Sequence, residues 1–286
     1  MTVDIDAIRR HIGTKMIEED IATSSPPRCM IATFNRYEPA PKAGERIAPG
    51  WHLGYFMQAT PPAVLAEDGL PTTWGVLPKM PFPRRMYAGS SIHFHDDLRV
   101  GDAITRETEF TGADVRKGST GPLIFTTQAR RIYTRRGLAI VEESHTVFRE
   151  DVKAGEKNAT PKRDAPPAGL PWSRTITADP VSLFRYSALT FNPHRIHYDR
   201  TYAMTVEGYP GLVVHGPYSQ QCLIDLARDN AGGRRITRYS QRARAPLFDI
   251  APFSVVGGPS EDGKGAKLWA VTPEGTIAME ATVAYG

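Results

Sequence analysis

Residues 190–197 read Thr190-Phe191-Asn192-Pro193-His194-Arg195-Ile196-His197, and their first three residues occur once earlier, as Thr33-Phe34-Asn35. The earlier copy continues Arg36-Tyr37-Glu38-Pro39-Ala40, so Tyr37 and Ala40 stand where the later copy has His194 and His197. The pattern is that of a doubled module in which one copy keeps its chemistry and the other has lost it. Residues common to both copies are then expected to serve the fold. Residues present in one copy are the candidates for a site.

Working outward, further pairs fall in the same order along the chain. His52-Leu53-Gly54-Tyr55 answers to His215-Gly216-Pro217-Tyr218, and Asp97-Leu98-Arg99-Val100 to Pro246-Leu247-Phe248-Asp249. The closing stretches 137–148 and 275–285 share a turn glycine, alternating apolar residues and an aromatic end. The offset between pairs shrinks along the chain, which assigns the first copy longer loops; the proline-rich 70–85 is one of them. Residues 151–172 hold few large apolar side chains and much Pro, Lys and Ala, the composition of a linker. The expected division is therefore a first unit over 1–150, a linker over 151–172 and a second unit over 173–286. For a chain of 286 residues this gives two units of ordinary domain size, about 140 residues each.

Ile5, Ile8, Ile12 and Met16 recur at three- and four-residue steps and predict an amphipathic opening helix. A short helix is expected over 181–188 after Asp179-Pro180, and a longer one over 217–229, striped by Tyr218, Cys222 and Leu226 and ended by Gly232-Gly233. From Thr237 onward the pattern turns strand-like, and 124–133 with 138–149 form a hairpin in the first unit. One long helix followed by antiparallel strands, twice over, predicts an α+β fold in which each helix is wrapped by a curved sheet.

Composition narrows the function. Hydrophobic residues make up 41% and charged residues 23%, as in an ordinary globular protein. A net charge of +4 with no basic block argues against nucleic acid and suits small anionic ligands. No apolar run approaches the ~20 residues of a membrane span. Cys29 and Cys222 are in no metal-type spacing and are expected as reduced thiols in apolar surroundings. The opening Met-Thr-Val-Asp-Ile-Asp is acidic where a targeting segment would be basic, so a cytoplasmic location is expected.

The run Tyr186-Ser187-Ala188-Leu189-Thr190-Phe191-Asn192-Pro193-His194-Arg195-Ile196-His197 resembles the signature of MaoC-like, hydratase-2 type enoyl-CoA hydratases, Tyr-x-x-(Leu/Val)-Ser-Gly-Asp-x-Asn-Pro-(Leu/Ile)-His. His215-Gly216 resembles that family's His-Gly at the head of its central helix. With Pro83-Arg84-Arg85-Met86-Tyr87-Ala88-Gly89 and Leu98-Arg99-Val100-Gly101-Asp102, the whole chain is similar to a double-hotdog branch. That branch holds hydroxyacyl-thioester dehydratases type 2 and hydratases of mesaconyl-CoA and itaconyl-CoA. The resemblance implies a double hotdog with a degenerate N-terminal repeat, an acyl-CoA substrate, and no metal or redox cofactor. It leaves room for a homodimer.

Aligned on His197, the chain has Asn192 where the family has a catalytic Asp, and His194 where it has Asn. An amide has no basic site at neutral pH, so Asn192 can orient water or thioester but cannot take a proton. The acid/base work then falls to His197, whose ordinary pKa of about 6.5 suits it, with Asp199 a candidate to set its tautomer. Negative charge gathers on the thioester oxygen as water adds, and a helix amino end meets such charge. Gly216 is expected to let the thioester approach and to donate its N–H, with Pro217 fitting the first turn. By resemblance His194, Tyr186 and His215 line the substrate, although the recurrence of His215 as His52 favours a structural role for it. Arg242 and Arg244, with Arg195 and Arg200 beside the motif, are candidates for the CoA phosphates. Arg84 and Arg85 are candidates for a substrate carboxylate, which a guanidinium grips with two parallel bonds. Two rivals remain on the same fold: an acyl-CoA thioesterase and a non-catalytic acyl-CoA-binding subunit.

Overall fold

The computed structural model describes residues 3–73, 75–118, 121–150 and 164–286. In the first half α1 (Ile5–Arg9), β1 (Lys15–Ile21) and α2 (Ser25–Thr33) precede β2 (Arg84–Phe94), β3 (Ala103–Gly118), β4 (Gly121–Thr134) and β5 (Gly137–Arg149). In the second, β6 (Trp172–Ile176), α3 (Pro180–Leu189), α4 (Arg200–Thr205) and α5 (Gly216–Asp229) precede β7 (Ile236–Ala243), β8 (Phe253–Pro259), β9 (Gly265–Val271) and β10 (Ile277–Tyr285). Of the expected linker, residues 151–163 lie outside the described residues, and Trp172 already begins a strand.

The ten strands form a single antiparallel sheet in the order β1-β3-β4-β5-β2-β7-β10-β9-β8-β6. From either edge inward the two halves are traversed alike, so the sheet is two copies of one five-stranded order joined at β2 and β7. This is the expected double hotdog. At the seam Ser91 lies opposite Ser240, with two further pairs on each side. Across it runs a buried polar chain. Gln241 Nε2 donates to Tyr87 Oη (2.5 Å) and Gln220 Oε1 (2.6 Å), and Ser90 Oγ donates to Gln220 Oε1 (2.9 Å). Helix α5 is thereby tied to strands of both halves.

The helices depart from expectation in the first half. Among the described residues only α5 is long and buried: every residue from Tyr218 to Ala227 is shielded, and it packs on all the strands of its own half. Where the first half repeats His-x-x-Tyr, a single 3-10 turn stands instead, Trp51–Gly54, and the backbone is extended at Tyr55. Pro61 and Pro62 follow too soon for a helix, since a proline ring clashes with the preceding turn and donates no N–H. The predicted opening helix is likewise cut short. It ends at Arg9, Gly13 turns at φ +92°, and Met16 belongs to β1, whose backbone pairs with β3. Ile12 is left exposed.

The repeated Thr-Phe-Asn is also out of step in space. Helix α2 ends at Thr33 and its left-handed residue is Asn35 (φ +49°); α3 ends at Leu189 and its left-handed residue is Phe191 (φ +50°). Asn35 thus answers to Phe191, one residue short of Asn192. The first copy puts there a residue that tolerates the conformation. The second holds a phenylalanine in a strained one, next to the residues of interest. Cys222 is buried as expected; Cys29 is exposed, a correction.

Gly89 marks the tightest point of the seam. Its φ is +149°, and a Cβ there would lie 2.4 Å from the carbonyl oxygen of Gln241. Gly89→Ala is expected to cost about 2–4 kcal/mol, through backbone strain and a displaced β7. Urea denaturation measures this, and a variant as stable as the parent would show that the seam has slack.

Candidate active site

The motif is fastened by its own backbone. Asn192 N–H bonds Ser187 O (2.8 Å), Thr190 Oγ1 bonds Tyr186 O (2.8 Å), and Asn192 Oδ1 accepts the N–H of His194 (3.1 Å). The chain then makes a 3-10 turn, Arg195–His197, and enters α4, whose first N–H groups Asp199 caps (Tyr202 N, 3.0 Å). Val213 N–H bonds Ile196 O (2.9 Å), and Val213 O lies 2.7 Å from His197 Nδ1. A carbonyl only accepts, so Nδ1 carries the proton and Nε2 holds the lone pair. The tautomer is set by a main-chain carbonyl. Asp199, the expected orienter, is occupied with its helix cap and with Arg195 (2.7 Å).

His197 is only 7% exposed, and its ring stacks on His215 with centroids 3.7 Å apart and planes at 20°. His215 is the N-cap of α5 and meets Ser187 Oγ through Nε2 (2.8 Å). His194 stands edge-on to His197, centroids 5.4 Å apart. Three imidazoles are thus gathered at the amino end of the buried helix. Burial pushes the His197 pKa down to about 4, against the hydrogen bond to Val213, which works the other way. Burial, with His197 and Arg85 nearby, drives His194 down to about 2, and His215 is lowered for like reasons. At neutral pH each is an uncharged ring.

Gly216 heads α5, where an N–H has no partner within the helix. The reason for glycine differs from expectation: the space a side chain would take is filled by the Tyr87 ring of the first half, 2.4 Å from a Cβ. Tyr186 is fully buried, its ring 5.0 Å from His215 and 5.5 Å from Tyr218, so it forms the floor under the histidines. His52, the counterpart of His215, faces Glu142 (3.6 Å) in the first half. Burial works to raise that carboxyl, but His52, Arg130 and Arg106 hold it down to about 2.

The arginines divide. Tyr239 and Gln241 on β7 are buried and Arg242 is exposed, so Arg242 is on the sheet face turned away from α5. Arg244 pairs with Asp164 (3.2 Å) and Glu280 (3.7 Å) beyond the strand end. Neither joins the histidine cluster. Arg195 and Arg200 are held by Asp199 and Asp249. Arg84 is bound by Glu207 (2.5 Å) and lies beside the Tyr209 ring. Arg85, one residue on along β2, is near Asp68 and His194; burial draws its pKa down to about 10 against the pull of Asp68.

Neither Asp68 nor the Val213 carbonyl is marked by any motif in the sequence. Asp68 belongs to the long loop of the first half, which docks on the motif: Arg195 N–H bonds Asp68 O (2.8 Å), and the Arg195 guanidinium bonds Glu67 O (3.1 Å). Among the described residues no cluster of three or more His, Cys, Asp or Glu is arranged to hold a metal ion, and no helix is long and apolar enough to cross a membrane.

The profile of the family described as hydroxyacyl-thioester dehydratase type 2 matches residues 50–249. The chain is 43% identical over 276 residues to the mesaconyl-C(4)-CoA hydratase of Chloroflexus aurantiacus, covering 96% of this chain and 95% of that one. It is 26% identical to the mitochondrial hydroxyacyl-thioester dehydratase type 2 of Schizosaccharomyces pombe, covering 85% and 90%. In structure it matches a MaoC-like dehydratase of Phytophthora capsici at a TM-score of 0.68, with 16% identity and 99% of both chains covered. That last likeness speaks to the fold alone.

The neutral histidines carry a consequence for stability. Their folded pKa values lie below the unfolded value of about 6.5, so the unfolded chain binds more protons as pH falls. Stability present above pH 6.5 is lost progressively toward pH 4, where His197 itself titrates. Each such histidine steepens the fall by up to about 1.4 kcal/mol per pH unit. Urea midpoints between pH 7 and 5 should fall less steeply in His197→Gln than in the parent. Identical slopes would mean that His197 titrates in the folded protein as it does in the unfolded chain.

Proposed function

Because the chain belongs to the hydroxyacyl-thioester dehydratase type 2 family and is a hydro-lyase of acyl thioesters, we propose that it reversibly hydrates a short branched or dicarboxylic enoyl-CoA, such as mesaconyl-CoA or itaconyl-CoA, with His197 as the base. What supports this is a neutral imidazole, fixed in one tautomer by Val213, whose Nε2 lone pair is available at the amino end of a buried helix. Water oxygen bonds the β carbon, the π electrons move toward the thioester carbonyl, and the water proton passes to Nε2. The developing oxyanion is met by the Gly216 N–H and the positive end of α5. The imidazolium then returns its proton to the α carbon, leaving hydroxyacyl-CoA and a neutral ring. No electrons are gained or lost, so the step calls for no redox cofactor. Asn192 commits its oxygen to His194 N–H, which leaves its amide hydrogens to orient water or the thioester.

The placement of Arg85 favours a substrate with a free carboxylate. Strand alternation sends Arg84 to Glu207 and brings Arg85 to the histidine cluster. The name of the Chloroflexus relative, a mesaconyl-C(4)-CoA hydratase, points the same way.

Crotonyl-, mesaconyl-, itaconyl- and long-chain enoyl-CoA offered side by side, with loss of the enoyl chromophore followed, test the activity. His197→Ala should lower kcat by about 10²–10⁴-fold. Release of free CoA without hydration would instead make the protein a thioesterase, and binding without turnover a carrier subunit. Arg85→Ala should weaken mesaconyl-CoA at least about tenfold more than crotonyl-CoA, the loss of one charged hydrogen-bonding partner; equal losses would remove the carboxylate role.

A further inference from the structure

Asn192 leaves the histidine cluster without the carboxylate that its motif position would supply, yet one carboxylate does reach the cluster. Asp68 Oδ2 lies 4.0 Å from His194 Nε2, with both side chains mostly buried. The approach is too long for a direct hydrogen bond and short enough for the charge to act on the ring.

Its position is built in several independent ways. Leu70 N–H bonds Asp68 Oδ1 (2.8 Å), which leaves Oδ2 toward the histidine. Gly69 sits at φ +86°, and a Cβ there would be 2.1 Å from Pro193 O, so the turn is pressed directly onto the motif. Ala66 N–H bonds Leu70 O (2.7 Å), and Arg195 clasps the loop through its main-chain N–H and its side chain. The Arg85 guanidinium also acts on Asp68, drawing its pKa down against the burial that raises it.

We propose that Asp68, on the loop of the degenerate half, is the positioning carboxylate of the active site, acting through His194. Its charge favours the His194 tautomer that carries the proton on Nε2. It also supplies negative charge to the cluster in which His197 becomes imidazolium during turnover. This rests on the hydro-lyase reading for its role in catalysis and on geometry alone for its effect on His194.

Asp68→Asn is the decisive variant, because the amide oxygen can still accept from Leu70 N–H while the charge is gone. Its kcat should fall at least tenfold with KM within about twofold of the parent, and its melting temperature should be unchanged; Asp68→Glu should recover part of the rate. Independently of any substrate, ring-nitrogen NMR of the full chain should show His194 protonated on Nε2 in the parent and shared between both nitrogens in Asp68→Asn. His197 should stay protonated on Nδ1 in both. Parent-like kcat in Asp68→Asn, or a His194 spectrum that does not move, overturns the proposal. A parent that hydrates no enoyl-CoA would sink the hydro-lyase reading, and the spectra alone would then decide whether Asp68 orients His194.

Discussion

A backbone carbonyl can accept a hydrogen bond and never give one, and the site depends on that asymmetry at Val213. Its oxygen takes the His197 Nδ1 proton, which leaves the opposite nitrogen unprotonated and fixes the plane of the ring. The same residue's N–H holds Ile196. One side-chain and one main-chain hydrogen bond to Val213 thus lock the motif to the strand-like segment that leads into α5. Ring stacking on His215 then follows from the lock, and so does burial deep enough to keep the imidazole neutral.

The surroundings divide the labour between the two halves. The second half supplies the helix, the motif and the stacked rings. The first half supplies what covers them: the Tyr87 ring over Gly216, Arg85 along β2, and the loop whose turn is pressed against Pro193. The buried amide and hydroxyl chain of Tyr87, Ser90, Gln220 and Gln241 keeps these contributions in register, since misalignment would strand polar groups away from water. The half without the histidine motif is therefore structurally part of the candidate site.

Much of this was legible in the sequence because it is local. Helix α5 announces itself by an apolar stripe and closing glycines, and the hairpin of β4 and β5 by alternation. The histidine motif could be placed because its residues are a few positions apart. What escaped was non-local or hidden by a plausible alternative. Asp68 meets His194 across more than a hundred residues of chain, and nothing in an Asp-Gly turn says where the turn will dock. The Val213 carbonyl has no side-chain signature at all. The repeated Thr-Phe-Asn invited an alignment that the helix ends shift by one residue. The face that Arg242 takes was legible too: Tyr239 and Gln241 share one parity along β7 and the arginine has the other, so burial of the first pair places the arginine on the opposite face.

The order of the sheet, the same from either edge to its centre, has an evolutionary reading. Two separate copies of one five-stranded unit, meeting through equivalent strands, would form a self-complementary dimer related by a two-fold axis. In such an assembly every substitution appears twice, so a loop cannot be lengthened over one cleft without being lengthened over the other. Joining the copies end to end removes that obligation. One member is then at liberty to surrender its helix and become a wall for its sibling.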